Sequence, residues 1–220
     1  MPRSTTLALT WLPYVALSVI HVASLAMDSP AAQPTKLTLM PLLALPVLVA
    51  APRLRPRAAV ALILSALLFS WLGDGAGALF PSAPELPLML LFFGIAHIAY
   101  IVLFTRFASI RRLPGWAAIY AVWWVGMLII LGPHLGPLII GVALYGVVLA
   151  GTAATSSRCH RLVAIGGAFF LASDTILAFR LFLPDPMPAW TSPAVMLTYT
   201  LGQGLIIAGL IRTLRRKEER

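Results

Sequence analysis

Charge is scarce in this sequence: Asp, Glu, Lys and Arg make up 10% of its 220 residues, hydrophobic residues make up 60%, and the mean hydropathy is +0.93. A chain so composed has too little polar surface to coat a water-soluble globule, so it belongs in lipid. Cysteine is almost missing. Cys159 stands alone, with no partner for a disulfide and no second thiol for a metal site, which removes the basis for a redox role. The four histidines, His21, His97, His134 and His160, are scattered without HxxxH or HxxEH spacing, so no metal is expected. No GxSxG elbow, Walker loop or GxGxxG occurs, and neither serine hydrolysis nor a nucleotide cofactor gains support. No cofactor of any kind is implied.

What is present is a series of apolar runs separated by Pro, Gly and clustered charge. A helix needs roughly 20 apolar residues to cross a hydrocarbon core of about 30 Å. On that measure eight spans are expected, at about 6–27, 37–51, 58–80, 87–106, 115–132, 135–156, 161–183 and 191–212. The fold class is therefore all-α: a polytopic membrane protein whose residues 1–220 form a single integral membrane domain. The second run is short and carries Pro41 and Pro46, and a continuous, kinked helix is expected there, with neighbouring groups satisfying the freed carbonyls.

The net charge of +9 would suggest nucleic acid in a soluble chain, but here the basic residues lie between apolar segments, at headgroup level, and nucleic-acid binding is not expected. Taken in alternate connections, one side receives Arg3; Arg53, Arg55 and Arg57; Arg106, Arg111 and Arg112; Arg158 and Arg161; and Arg212, Arg215, Arg216, Lys217 and Arg220. That is 14 of the 16 basic residues, leaving Lys36 and Arg180 for the other side with Asp28, Glu85 and Asp185. By the positive-inside rule both termini face the cytoplasm, in a bacterial inner membrane or other plasma membrane.

Two carboxylates fall inside spans. Asp74 and Asp174 lie roughly 24 Å and 20 Å from the cytoplasmic ends of their helices, at about 1.5 Å per residue. An acid at such depth costs several kcal/mol unless it faces a cavity or a partner, and is a functional candidate by default. The plainer reading is a hydrogen bond between helices, or an ion pair with Lys36 or Arg180. The segments Phe69-Ser-Trp-Leu-Gly-Asp74 and Phe169-Phe-Leu-Ala-Ser-Asp174 form a weak repeat, which a parallel duplication of four helices would explain. At comparable depth lie His97 and Tyr100, three apart on one face, Tyr145, and Tyr199 with Gln203, four apart on another. Each of these also has a packing role open to it, as an interhelical hydrogen bond or an anchored hydroxyl.

An ordered set of segments goes further: Leu67-Leu-Phe-Ser-Trp-Leu-Gly-Asp74, Phe93-Gly-Ile-Ala-His-Ile-Ala-Tyr100, Val142-Ala-Leu-Tyr145, Gly167-Ala-Phe-Phe-Leu-Ala-Ser-Asp174 and Leu197-Thr-Tyr-Thr-Leu-Gly-Gln203. Together they resemble the YhhN family, whose characterised animal members are lysoplasmalogenases, over the chain from Lys36 to Leu210. The family often has Lys-Pro where this chain has Lys36-Leu37. The resemblance implies hydrolysis of the sn-1 vinyl ether of a lysophospholipid substrate, giving a fatty aldehyde and glycerophosphoethanolamine or glycerophosphocholine, with membrane lipids as the surroundings.

Vinyl ethers resist base and yield when an acid protonates the carbon β to oxygen, so one proton donor and one anion are needed. Asp74 and Asp174 would supply both, as paired carboxyls do in glycoside hydrolysis. Lys36 would hold the phosphate or tune an aspartate, with His97, Tyr100, Tyr145, Tyr199 and Gln203 in support. Two other classes stay open on the residues alone. A proton-coupled transporter or lipid carrier would use the same aspartates. An intramembrane aspartic protease would prefer Gly-x-Gly-Asp, and Trp71-Leu72-Gly73-Asp74 lacks the first glycine. The topology is testable directly: alkaline phosphatase, active only outside the cytoplasm, should be active when inserted between residues 81 and 86 and inactive when fused after Arg220.

Overall fold

The computed structural model describes residues 7–216, and 83% of the protein is helical with no strand among the described residues. Eight helices are long and apolar enough to cross a membrane: α1 Leu7–Ala26, α2 Ala32–Arg53, α3 Arg57–Asp74, α4 Glu85–Ala108, α5 Gly115–His134, α6 Gly136–Ser156, α7 Arg161–Phe182 and α8 Thr191–Arg215. Arg3, Lys217 and Arg220, counted above in the charge asymmetry, and Thr6, the first residue of the expected first span, lie outside the described residues.

Proline sets several starting points. Pro56, Pro84 and Pro114 each precede a helix in extended conformation, where the missing N–H costs nothing and the ring bars the helix from running backwards. Pro34 is accepted within the first turn of α2 for the same reason, so this helix begins at Ala32 rather than 37, and Lys36 sits inside it. The helix continues through Pro41 and Pro46. Pro41 has no hydrogen to give the carbonyl of Leu37 four residues back, and the Trp71 indole Nε1 of α3 donates to that oxygen instead, at 2.9 Å. The satisfaction of a freed carbonyl by a neighbouring helix is thus visible atom by atom.

The third span departs from expectation. It does not run on to residue 80 but ends at Asp74, with Gly75 at φ −96°, ψ 5°, followed by a short turn of helix at Ala76–Leu79. A side chain at Gly75 would come within 2.9 Å of Leu37 and 2.7 Å of Leu79. The break turns the chain toward α4, against which the Ala76–Leu79 turn packs, and Asp74 becomes the last residue of its helix rather than a mid-helix group.

Helix α8 is the centre of the bundle, with 61% of its span buried, whereas α5 at 11% and α1 at 17% are peripheral. Its closest partner is α7, as α4 is that of α3; α4 also packs on α6, α1 on α2 and α8, and α5 on α6. The α7–α8 contact is made through glycine. A Cβ at Gly166 would lie 2.7 Å from the Gly202 carbonyl oxygen, and one at Gly202 would lie 2.9 Å from the Phe170 nitrogen. Two backbones this close admit no side chain between them, as is common where lipid-embedded helices associate. Because backbone rather than a movable side chain blocks the space, Gly202→Ala should destabilise the protein by about 1–3 kcal/mol, seen as a lower unfolding temperature in detergent.

Candidate functional site

Seven of the eight helices contribute to one cavity of about 350 Å³ at the bundle end away from the arginine-rich connections. It is lined by the C-terminal parts of α1, α3 and α7 and the N-terminal parts of α2, α4, α6 and α8. Both intramembrane aspartates are in its wall, with Lys36, Tyr145 and Tyr199. Much of the rest is apolar, including Leu25, Leu90, Phe93, Leu177 and Met196. A mainly apolar pocket of this size with a few convergent polar groups is the usual form of a small-molecule site.

Each carboxylate has its own set of partners. Tyr199 Oη donates to Asp74 Oδ2 at 2.8 Å, and the Lys36 ammonium stands 3.8 Å from Asp74 Oδ1. The Asp74 side chain is only 4% exposed and that of Lys36 32%, so the acid shows the cavity a small edge and the ammonium is the more open of the two. Tyr145 Oη donates to Asp174 Oδ2, and His97 Nε2 lies 3.8 Å from the same oxygen. Asp174 is 12% exposed, and its Oδ1 has no protein partner among the described residues. Near-unpaired acids are prohibitive in a low-dielectric interior, and here each has a hydroxyl donor and a second polar group.

A second layer holds the first in place. His97 is fully buried, with Nδ1 3.0 Å from Thr152 Oγ1 and Nε2 3.3 Å from Tyr145 Oη. Since the Tyr145 hydrogen goes to Asp174, its oxygen accepts, and the histidine hydrogen on that side belongs to Nε2. On the other side, Gln203 receives a hydrogen bond from Tyr100 Oη at 2.6 Å and donates to Ser70 Oγ at 3.0 Å and Tyr199 Oη at 3.5 Å. Phe170 joins the two layers, its ring centroid 4.7 Å from that of His97 and 5.4 Å from that of Tyr199. Gly73 is needed beside Asp74, because a Cβ there would lie 2.6 Å from the Phe93 ring, which itself meets Tyr199 edge-on.

All the residues singled out in the sequence therefore gather here, in two tiers. Asp74, Asp174, Lys36, Tyr145 and Tyr199 line the cavity; His97, Tyr100 and Gln203 do not reach it and stand behind the wall. Three further ionisable wall residues were not among the site candidates: His21, Glu85 and Arg180, the last named only as a possible ion-pair partner of an aspartate. His21 was legible as an ionisable residue within an apolar span, and Glu85 as an acid in a first helical turn, where the helix dipole favours it. Arg180 donates to Thr191 Oγ1 at 2.6 Å, and nothing in the sequence signals that pairing. Among the described residues no three His, Cys, Asp or Glu side chains come together as a metal would require.

The partners also repeat by helix. Asp74 on α3 is served by α2 and α8, and Asp174 on α7 by α6 and α4. Exchanging the first four helices for the last four carries one set onto the other, which is the arrangement a parallel duplication of four helices gives.

The sequence pattern of the YhhN family matches residues 32–210, which takes in both aspartates and every partner just described. The chain belongs to the YhhN family. No curated protein and no solved structure matches it. The family match starts at Ala32, so α1, with His21, precedes it.

The tier behind the wall has a measurable role. Gln203→Leu leaves the Tyr100 hydroxyl and Ser70 buried without their partner, and at about 1–3 kcal/mol for an unsatisfied buried group the unfolding temperature should fall well below that of wild type.

Proposed function

We propose that this YhhN-family protein is a membrane lipid hydrolase that cleaves the sn-1 vinyl ether of a lysoplasmalogen, releasing a fatty aldehyde and glycerophosphoethanolamine or glycerophosphocholine. One observation carries the reading: two carboxylates from separate helices line a single, mostly apolar cavity and are partnered differently. Family membership supports it at a coarser level.

The difference in partners suggests the division of labour. Both Asp74 oxygens are engaged, one by an ammonium and one by a phenol, which suits a permanent anion. Asp174 has one oxygen held by Tyr145 and the other open to the cavity, which suits a group that passes a proton to substrate. In the proposed reaction the Asp174 carboxyl gives its proton to the vinyl carbon β to the ether oxygen, the π electrons forming the new C–H bond. Positive charge then spreads over the neighbouring carbon and oxygen, facing the Asp74 carboxylate. Water adds at that carbon and returns a proton to Asp174. As the hemiacetal breaks its bond to the glycerol oxygen, its hydroxyl proton passes to that oxygen, the hydroxyl electrons form the carbonyl and the aldehyde departs; one water is consumed.

Lys36 and Arg180 are the cations of the cavity wall and would receive the phosphate, while the single hydrocarbon chain lies against the apolar side chains. With both termini cytoplasmic, the cavity serves the outer leaflet.

Purified protein in detergent, given lysoplasmenyl-ethanolamine or lysoplasmenyl-choline, should release aldehyde without any ion gradient. Asp74→Asn and Asp174→Asn should each reduce the rate by about 100-fold or more, the usual scale for losing an acid or base. Equal release by all three proteins would overturn the assignment of the site, and none from folded wild type would overturn the hydrolase itself.

A further inference from the structure

The cavity has a small neighbour. Helix α5 contributes nothing to the cavity wall among the described residues; it packs on α6 and makes few close approaches to α7. The seam left between α5, α6 and α7 holds a pocket of about 40 Å³, and four residues line both it and the cavity: Val142 and Tyr145 of α6, Asp174 and Ala178 of α7. Val142 and Tyr145 are three apart and Asp174 and Ala178 four apart, so each pair forms one strip on its helix, and the two strips lie between the spaces. Two indoles cover the seam from α5. Trp123 Nε1 donates to Thr175 Oγ1 of α7 at 3.1 Å, and Trp124 Nε1 donates to the Ala143 carbonyl of α6 at 3.0 Å. Trp124 rests directly on α6 at Gly146, where a Cβ would meet its ring at 2.7 Å. With its single donor engaged, each indole has only carbon left to offer. Apart from the shared Tyr145 and Asp174, the rest of the wall is Leu, Met, Val, Ala and Gly.

Such a wall has no partner for a phosphate or an ammonium and suits hydrocarbon. Its position says which hydrocarbon. In the proposed reaction the carbon that takes the Asp174 proton is the one that bears the rest of the chain, so the chain begins beside Asp174. Asp174 borders the seam, whereas Asp74 does not. A longer apolar groove runs between α1 and α8, past Trp11, Tyr14 and Gly204, but it shares no wall residue with the cavity and offers no path for a chain whose first carbons lie at the aspartates. At about 40 Å³ the seam pocket seats a few carbons rather than a whole chain. The remainder is left to follow α5, the least buried of the spanning helices, into the surrounding lipid.

We propose that this seam is a hydrocarbon subsite: a lipid whose reacting bond lies at Asp174 sends its chain out of the cavity between α6 and α7 to meet α5. This inference rests on the hydrolase reading for the place of the reacting bond, and photolabelling tests it separately. Hydrocarbon gains little by passing from a micelle into an apolar pocket, so the readout is position rather than affinity. The probe is a saturated 1-O-alkyl-glycerophosphoethanolamine, which has no vinyl ether to cleave, with a diazirine a few carbons along its chain. It is irradiated with wild type and monodisperse variants in detergent, with and without an excess of the same lipid lacking the diazirine, and the adduct is placed by mass spectrometry of peptides. Competed label is expected on α5 between Trp123 and Leu131, or across from it on Gly146 and Leu149 of α6. Ala178→Leu, which narrows the junction, should lose that label, and Ala178→Gly, which leaves it open, should keep it. Competed label on α1 or α8, label confined to the α2 and α4 walls of the cavity, or no competed label in wild type overturns the proposal without need of any variant, as does undiminished α5 label in Ala178→Leu. Competed α5 label without aldehyde release from a lysoplasmalogen upholds the subsite and overturns the hydrolase; aldehyde release with the label elsewhere does the reverse.

Discussion

An anion buried among lipid-facing helices has to be given hydrogens by other helices, and that demand organises this protein. Asp74 and Asp174 cannot be hydrated by bulk water from within a bundle, so Tyr199 and Lys36 answer the first and Tyr145 and His97 the second. Each answer ties helices distant in sequence. The Asp74 contacts join α2, α3 and α8, and the Asp174 contacts join α4, α6 and α7. The donors then need support of their own, which Gln203 and Thr152 provide from positions that never meet the cavity. The polar interior is continuous with the reason α8 lies deepest in the bundle.

Support of this kind is also what fixes a reactive geometry. A tyrosine held by a buried glutamine, and a histidine held between a threonine and a tyrosine, have little freedom to turn. A carboxyl oriented by such groups presents one chosen oxygen to the cavity without paying for its orientation at each turnover. The glycine contacts contribute from outside. With α7 and α8 in backbone contact at Gly166 and Gly202, the helix bearing Asp174 and the helix bearing Tyr199 behave as one block.

Much of this was written in the apolar pattern. Lipid sets the length of a span, so eight runs of apolar residues could be counted, and two acids within them stood out because acids there are costly. Partner residues near the same depth, such as Tyr145, Tyr199 and His97, could be nominated for the same reason. Their sorting into wall and backing could not. Spans that are apolar all round carry no polar stripe to say which face looks inward, so the exchange between His97 and Tyr145, 48 residues apart, is decided by packing. The end of α3 at Asp74 was hidden because Gly75 and the apolar residues after it read as more helix. His21, Glu85 and Arg180 were passed over because each was judged by its place along the chain, at a span or its edge, rather than by the cavity that folding assembles around it.

The bond from the Trp71 indole to the Leu37 carbonyl has an evolutionary consequence. Pro41 cannot supply the helical hydrogen bond to that oxygen, and the proline is harmless because the tryptophan supplies one instead. The dependence runs one way: a residue without a donor at position 71 would strand the carbonyl beside Pro41, whereas an ordinary residue at position 41 could share that oxygen with the indole, since a carbonyl has two lone pairs. Lineages that keep Pro41 should therefore keep a donor at position 71, whereas those that lose the proline are released from that demand, so that the freedom of one helix to vary is set by a residue on another.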